Sequence, residues 1–216
     1  MTEQELPPVP EAEPRTRWSE VSGGPGAATA YQRRFDRLAA QGLDVHGEAA
    51  FVESLVPPPA RVLDAGCGTG RVATQLTSLG YHCLGVDVDP DMLAVAEQRD
   101  PATVWVEQDL SRLQLRTQAF ELVLLAGNVI PLLAPGTLLA TMQRIAAHVE
   151  PGGLVVAGFG LDAAHLPPGI PVTPLQDYDR ACTVAGLSYQ RRYGTWAKEA
   201  WHPGGGYAVS VHRLND

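Results

Sequence analysis

An acidic residue followed by a glycine-rich turn is the part of this sequence best suited to binding a small molecule. Asp64 ends a short apolar segment typical of a buried strand, and Gly66, Gly68 and Gly70 follow it before a predicted helix. Glycines let the backbone approach a ligand with no Cβ in the way. The free N–H groups at the start of the helix attract a carboxylate or phosphate. The segment therefore predicts a ligand site at the carboxyl end of a strand.

The spacing of these glycines bears on the kind of ligand. Dinucleotide sites read G-x-G-x-x-G, whereas here the third glycine is Gly70 and Arg71 occupies the next position. A carboxylate at Asp64 would repel a pyrophosphate but could accept a hydrogen bond from an ammonium group. That combination suits the amino-acid part of S-adenosylmethionine.

A second acid lies at the end of the next predicted strand. Asp87 follows the first glycine of the turn by about 20 residues, where an acid commonly binds ribose in α/β nucleotide sites. Asp87, Asp89 and Asp91 alternate as in a calcium loop, but Met92 replaces the glycine and Gln98 the glutamate that such a loop needs. Asp89 is instead predicted to cap the following helix.

Four sequence blocks, in this order, resemble those of the class I S-adenosylmethionine-dependent methyltransferases of the small bacterial type. They are DAGCGTG at 64–70, GVDVDPDML at 85–93, QDL at 108–110 and LLAGN at 124–128. The resemblance covers residues 27–216, and four ordered blocks make it more specific than the glycine turn alone.

The resemblance implies a set of cofactor-binding residues. In this family, the acid at Asp87 holds the ribose hydroxyls and the acid at Asp109 takes the adenine amino group. The first helix, which carries Tyr31, often covers the cofactor. The implied residues are Tyr31, Asp64, Ala65, Gly66, Gly68, Gly70, Asp87, Val88, Met92, Asp109, Leu110, Ala126, Gly127 and Asn128.

The elements that would position these residues alternate between strand and helix from residue 61 onward. Apolar strands separated by helices predict a parallel sheet with helices on both faces. Two alternating segments at 187–196 and 207–213 predict an antiparallel hairpin at one edge. Together with the resemblance, this pattern predicts an α/β, Rossmann-like, doubly wound sheet of seven strands, mostly parallel with the last strand antiparallel.

The chain is predicted to divide into a tail and one domain. Residues 1–25 are acidic and rich in proline, which predicts a disordered tail. Residues 26–216 form the predicted domain, with N-terminal helices at 27–41 and 47–56 that would cover the cofactor. A helix is also predicted at 135–148, stopped by Pro151, and another at 174–185 with Thr173 as its N-cap.

Charge and cysteine content narrow the partners and the compartment. The formal net charge is −8, with 24 acidic and 16 basic residues, which argues against binding nucleic acid. The three cysteines form no CxxC pair. With neither a secretory signal pattern nor an apolar run of about 20 residues, the sequence predicts a cytoplasmic protein that does not act at a membrane.

Departures from subfamily patterns sharpen the predicted reaction. The fourth strand is not followed by the Asn-Pro-Pro-Tyr or Asp-Pro-Pro-Tyr tetrapeptide that holds a base amino group. Ala126 and Gly127 carry no acid where metal-dependent catechol-type enzymes place a ligand, and no zinc spacing occurs. The predicted function is metal-independent methyl transfer from S-adenosylmethionine to a small-molecule acceptor, with S-adenosylhomocysteine as product.

The catalytic residue, the acceptor and the oligomeric state stay open at this stage. Three histidines stay open as a general base: His165 lies on a segment that could wall a substrate pocket, His46 opens a predicted helix, and His202 lies in the final loop. Oxygen, nitrogen and carbon acceptors are all compatible with the sequence. Two alternatives also stay open: a non-catalytic module that binds S-adenosylmethionine or S-adenosylhomocysteine, and an NAD-type oxidoreductase. The candidate aromatic walls of the acceptor pocket are Tyr31, Phe159, His165, Tyr178, Trp196 and Trp201.

Overall fold

A computed structural model describes residues 15–24, 26–116 and 119–215, and its strands form one sheet. The strands are β1 (Arg61–Ala65), β2 (His82–Asp87), β3 (Val104–Glu107), β4 (Phe120–Leu125), β5 (Val149–Gly160), β6 (Leu187–Tyr193) and β7 (Tyr207–Leu214). Their order is β3-β2-β1-β4-β5-β7-β6. The first five strands pair in parallel, and β7 pairs antiparallel with both β5 and β6. The predicted seven-stranded sheet and its antiparallel edge are confirmed.

Helices cover both faces of the sheet. They are α1 (Trp18–Val21), α2 (Ala27–Ala40), α3 (Gly47–Glu53), α4 (Arg71–Ser78), α5 (Pro90–Arg99), α6 (Val129–Leu132), α7 (Leu138–Ala146) and α8 (Leu175–Val184). Short 3-10 turns occupy Leu110–Arg112 and Ala163–His165. The helices α7 and α8 pack on one face, and α3 and α4 pack on the other.

The core explains why β4 is apolar from Leu122 to Leu125. Val123 and Leu125 point into the cluster under α7 and α8, whereas Leu122 and Leu124 point into the cluster under α3 and α4. Side chains alternate between the faces of a strand, so a strand buried on both faces must be apolar at every position.

Three predicted boundaries differ from the structure. The helix predicted at 135–148 is shorter, because Thr137 occupies the N-cap position of α7. Strand β5 already begins at Val149, before the Pro151 that was predicted to stop the helix, and passes through Gly153, where a Cβ would lie 2.8 Å from the Val149 side chain. Thr173 is not the N-cap of α8, since Pro174 holds that position without a side-chain hydrogen bond.

Part of the predicted tail lies against the domain. Residues 1–14 and Pro25 lie outside the described residues, but residues 15–21 cross the end of the sheet and are called the strap below. Arg17 donates hydrogen bonds to the carbonyls of Pro131 and Leu133, both at 3.3 Å. These contacts depend on residues more than 100 positions away, which tail composition does not predict.

Candidate functional site

A cleft of about 610 Å³ opens at the carboxyl ends of β1, β2 and β4. All but two of the fourteen predicted cofactor residues line it. The exceptions are Ala65, which is buried in the core, and Gly70, which packs on Trp105. A parallel sheet brings strand ends that are distant in sequence to one edge, which is why these residues meet.

The glycine turn is fixed to β2 on one side and is open to the cleft on the other. The N–H groups of Gly66 and Cys67 donate to the carbonyl of Val86, at 2.7 and 3.0 Å. Gly70 has a φ of +73°, and a Cβ there would lie 2.4 Å from the Trp105 ring. A Cβ on Gly68 would meet no atom within 4 Å. The turn therefore presents bare backbone to the cleft.

Asp64 is a buried carboxyl at the floor of the cleft. Its side chain accepts a hydrogen bond from the N–H of Ala73 at 3.2 Å, and the residue is 2% exposed. Burial raises the pKa of Asp64 to about 7, although Arg71 and the Ala73 N–H act in the opposite direction. A cation placed beside it would favour the ionised form.

Asp87 is held by backbone groups on two sides. One oxygen accepts from the Gly68 N–H at 2.7 Å, and the other accepts from the Asp89 N–H at 3.0 Å. Burial raises the pKa of Asp87, and these backbone bonds oppose the rise. The carboxylate thus joins the glycine turn to the start of α5.

The remaining residues near Asp87 form an apolar wall with one polar edge. Val88, Met92 and Leu110 line the cleft, and Met92 is buried. Asp109 accepts from both the N–H and the hydroxyl of Ser111, at 2.7 and 2.6 Å, and so caps the 3-10 turn that carries Leu110. Asp109 also lines the cleft.

Arg71 holds the N-terminal segments against the start of α4, a role that the sequence did not predict. Its guanidinium forms two hydrogen bonds with the Glu48 carboxylate, at 2.9 and 2.6 Å, contacts the carbonyl of Val45, and lies 4.5 Å from the centre of the Phe35 ring. A cation at the first position of a helix opposes the helix dipole. That unfavourable placement was the available clue that Arg71 needs an acidic partner.

Helix α2 is bound to the glycine turn and borders the cleft. The hydroxyl of Thr69 donates to the side chain of Gln32 at 2.6 Å, and both residues are buried. Tyr31, Arg34 and Phe35 line the cleft from the same helix. Burial raises the pKa of Tyr31. The N-terminal helix therefore lies where a cover over the cofactor was expected.

The strap adds lining residues that were not expected. Trp18 donates from Nε1 to a carboxylate oxygen of Asp89 at 2.7 Å, and both Thr16 and Trp18 line the cleft. Asp89 also caps α5 by accepting from the N–H groups of Asp91 and Met92, as predicted. One aspartate thus links the strap to the element that carries Met92.

At the other end of the cleft, Asn128 ties two segments together. Its side chain donates to the carbonyl of His165 at 3.0 Å and accepts from the N–H of Gly160 at 2.7 Å. Asn128 follows Ala126 and Gly127, which also line the cleft, and it adopts a positive φ of 70°. The segment after β5 is therefore fixed beside the end of β4.

The predicted aromatic walls separate into three groups. Tyr31 and His165 line the cleft. Trp196 and Trp201 line a second cavity of about 390 Å³, which His165 also borders. For Phe159 and Tyr178 the prediction was wrong. These two rings are fully buried and pack edge to face in the core, 5.2 Å apart.

Comparison with known proteins decides the family. A model of the methyltransferase domain matches residues 62–153. The crystal structure of a TehB-like S-adenosylmethionine-dependent methyltransferase from Corynebacterium glutamicum superposes with a TM-score of 0.79 and 30% identity. The match covers 89% of this chain and all of that one. The chain belongs to the S-adenosylmethionine-dependent methyltransferases.

Other members of this methyltransferase family match over shorter stretches. A dTDP-3-amino-3,6-dideoxy-alpha-D-glucopyranose N,N-dimethyltransferase from Streptomyces fradiae is 33% identical over 120 residues, which is 54% of this chain and 47% of the relative. The matches to the first curated relatives span about half of their length. The amino pentose methyltransferase CalS10 from Micromonospora echinaspora shares the fold, with a TM-score of 0.64 and 22% identity over 84% of this chain and 96% of that one.

The cleft fits the cofactor of this methyltransferase family. The open backbone at Gly68 leaves room for a ligand, and the carboxyl groups of Asp64 and Asp87 flank that opening. Within residues 15–24, 26–116 and 119–215, no three histidine, cysteine, aspartate or glutamate side chains come together as a metal site. No helix in the same ranges has the length and apolar character needed to cross a membrane.

Proposed function

We propose that this protein transfers the methyl group of S-adenosylmethionine to a small-molecule acceptor without using a metal. The proposal rests on one observation above all. The cleft that contains the family's cofactor residues continues past Asn128 to the segment 164–168, so donor and acceptor would share one enclosed space. Its volume of about 610 Å³ lies within the range of small-molecule sites. A cleft that ended at Asn128, with no room for an acceptor, would instead favour a module that only binds the cofactor.

The residue roles follow from the geometry and from the family pattern. Asp64 and the glycine turn would hold the methionine part, with the ammonium group beside the Asp64 carboxylate. Asp87 would accept hydrogen bonds from the ribose hydroxyls. Val88, Met92 and Leu110 would enclose the adenine, and Asp109 would accept from its amino group.

The chemistry asked of the protein is mainly positioning. The bound cofactor supplies an already reactive sulfonium methyl group, so the protein must hold the acceptor in line with it and exclude water. Tyr31 and Phe35 from α2 and Trp18 from the strap lie over the cleft and would limit the entry of water.

The acceptor class and metal independence rest on comparison. Curated relatives include enzymes named for an amino sugar nucleotide and for demethylmenaquinone, which supports a small acceptor. Ala126 and Gly127, at the end of β4, offer no carboxylate to a metal ion.

All three cysteines are free thiols, which supports a location in the reducing environment of the cytoplasm.

Thermal unfolding with two ligands tests the cofactor. S-adenosylhomocysteine at about 100 times its Kd should stabilise the protein by about 2.7 kcal/mol, which raises Tm by roughly 5–11 °C for a domain of this size. NAD should leave Tm unchanged. A shift with NAD alone would instead support an oxidoreductase. Release of S-adenosylhomocysteine with an amino sugar nucleotide or a quinol as acceptor would then distinguish an enzyme from a binding module.

A further inference from the structure

The segment after β5 places a histidine and an aspartate where the two cavities meet. His165 lines both the cleft and the second cavity. Its Nδ1 lies 2.7 Å from Oδ1 of Asp162, and each side chain is 49% exposed. Nothing in the cofactor site requires this pair.

We propose that His165, oriented by Asp162, is the general base that removes the proton from the acceptor during methyl transfer. This assignment rests on the proposed function. It also narrows the acceptor to a compound that presents an amine or a hydroxyl group at the methyl-donating end of the cleft. A hydroxyl loses its proton on methylation, and an amine that is protonated at neutral pH must lose a proton before it can attack.

Asp162 fixes the protonation pattern of the imidazole. Its Oδ1 also accepts from the N–H groups of Ala164 and His165, at 3.0 and 3.1 Å, so the carboxylate is held by the backbone. The hydrogen bond with His165 lowers the pKa of Asp162, and the group is therefore ionised at neutral pH. An ionised carboxylate only accepts, so Nδ1 of His165 carries a proton, and in the neutral imidazole the lone pair is on Nε2.

Contacts from two other elements hold the imidazole in place. A Cβ on Gly206, which lies just before β7, would be 2.2 Å from Cε1 of His165 and 2.5 Å from Oδ2 of Asp162. Asn128 anchors the backbone of His165 beside Ala126, at the end of β4. Only a glycine at 206 allows this close approach. The pair is therefore positioned by the fold and not by its own turn alone.

The other titratable groups of the cleft are less suited to this role. Asp64, Asp87 and Asp109 already accept backbone hydrogen bonds, and burial raises the pKa of Tyr31, which disfavours its ionised form. Burial also raises the pKa of the Cys67 thiol, which lines the cleft. The other charged or titratable groups, among the described residues, that contact His165 or share a cavity with it are Asp162, Tyr207, Glu199, His202, Arg34 and Arg71.

During the transfer, the acceptor nitrogen or oxygen forms a bond to the methyl carbon of the donor. Nε2 of His165 takes the proton that the attacking nitrogen or oxygen loses, while the carbon–sulfur bond of the donor breaks and its electron pair stays on sulfur. The imidazolium formed in this way is stabilised by the Asp162 carboxylate. It then returns the proton to water through the second cavity or the mouth of the cleft.

Sinefungin tests the assignment without the natural acceptor. This analogue carries an ammonium group where the donor carries its methylated sulfonium, whereas S-adenosylhomocysteine carries no group there. The ratio of the two Kd values, measured by calorimetry, therefore isolates what lies beside the methyl position. A neutral Nε2 accepts from the ammonium directly or through a water, whereas a protonated imidazole repels it.

We expect the wild-type protein to bind sinefungin about fivefold more tightly than S-adenosylhomocysteine at pH 7.5. His165→Ala should lose this preference. His165→Gln, which keeps a neutral acceptor, should retain part of it. Asp162→Asn should weaken the preference. His202→Ala, in the second cavity only, is the matched control and should behave as wild type.

The outcomes separate the two proposals. Affinity for S-adenosylhomocysteine should stay within twofold of wild type in every variant, because His165 lies beyond the cofactor residues. A sinefungin preference unchanged in His165→Ala, or an equal loss of both ligands, would overturn the assignment of the base. Failure of the wild-type protein to bind either ligand would overturn the proposed function, and the base assignment with it.

Discussion

The two ends of the cleft are held in place by different kinds of contact. In the cofactor half, residues 64–71, 87–92 and 108–110, carboxylates and backbone N–H groups bond directly to each other, and Asp64 and Met92 are buried. In the acceptor half, residues 126–133 and 160–168, which begins at the predicted cofactor residues 126–128, side chains such as Asn128 bridge separate segments, and His165 is half exposed. This difference is consistent with the proposed binding of one invariant ligand in the cofactor half and of variable acceptors in the acceptor half.

Paired alanine substitutions of glycines should show the largest difference between the halves. Gly70→Ala adds a Cβ 2.4 Å from Trp105 at a φ of +73°, whereas Gly127→Ala meets no atom within 4 Å at a φ of +74°. The shared backbone strain costs 1–2 kcal/mol and overpacking a further 1–3 kcal/mol. Urea unfolding should show a loss of about 4 kcal/mol for the first variant and about 1 kcal/mol for the second. Equal losses would mean that the halves are packed alike.

Removing a carboxylate from the cofactor half should weaken ligand binding by a free energy nearly as large as the loss of stability in Gly70→Ala. Asp87→Ala deletes the predicted acceptor for the ribose hydroxyls, and hydrogen bonds to charged groups contribute 1.5–3 kcal/mol each. Calorimetry should therefore show S-adenosylhomocysteine bound about 3 kcal/mol more weakly. Asp91→Ala, which removes an exposed acid in the first turn of α5, is the control. Near-wild-type affinity in Asp87→Ala would remove the ribose assignment.

Acidity should act on the cofactor half through Asp64. Its pKa of about 7 means that the carboxyl is neutral below this pH and cannot pair with the ligand ammonium. The affinity for S-adenosylhomocysteine should rise about tenfold from pH 6 to pH 8, following the ionised fraction. Asp64→Asn should abolish this dependence. A flat wild-type profile would contradict the ion pair.

The raised pKa of Asp64 affects stability in the opposite direction: as pH rises, ligand affinity increases but the stability of the ligand-free protein decreases. Since the folded pKa of Asp64 lies above the unfolded value of 3.8, the folded state binds the extra proton between about pH 4 and pH 7. Its contribution to the free energy of unfolding is present below pH 4 and is lost as pH rises through 7. The ligand-free wild type should therefore lose stability over this range relative to Asp64→Asn.

The smallest effect is expected in the acceptor half. Asn128→Gly keeps a residue that tolerates a positive φ but removes both side-chain bonds to the segment after β5. The free energy of unfolding should fall by about 1 kcal/mol, while the affinity for S-adenosylhomocysteine stays within threefold. A large loss of that affinity would show that Asn128 supports the cofactor half instead.

The contrast between the halves also explains what could be predicted from sequence. The glycine turn, Asp87 and the cap at Asp89 are local patterns, in which a strand end, a turn and a helix start lie within a few residues. Such patterns fix the backbone wherever the rest of the chain goes. Seven strands with apolar periodicity likewise predicted the sheet and its antiparallel edge.

Long-range contacts account for what was missed. The bond of Arg71 to Glu48 joins residues 23 positions apart, and the bond of Trp18 to Asp89 joins residues 71 positions apart. The aromatic types of Phe159 and Tyr178 are equally compatible with a core or a pocket. Only the direction in which each ring leaves its strand or helix separates the two, and that direction depends on tertiary packing.

The strap has a consequence for local order. It is attached at one rim of the cleft by Trp18 and at the other by Arg17, and each neutral or charge-assisted bond contributes only about 1–3 kcal/mol. Fixing the backbone of a single residue already costs 1–2 kcal/mol. Seven residues therefore cannot stay ordered on these bonds alone, and the partial burial of Trp18 must contribute. A molecule in the cleft would extend that buried surface, so amide hydrogen exchange in residues 15–21 becomes a direct record of whether the cleft is filled.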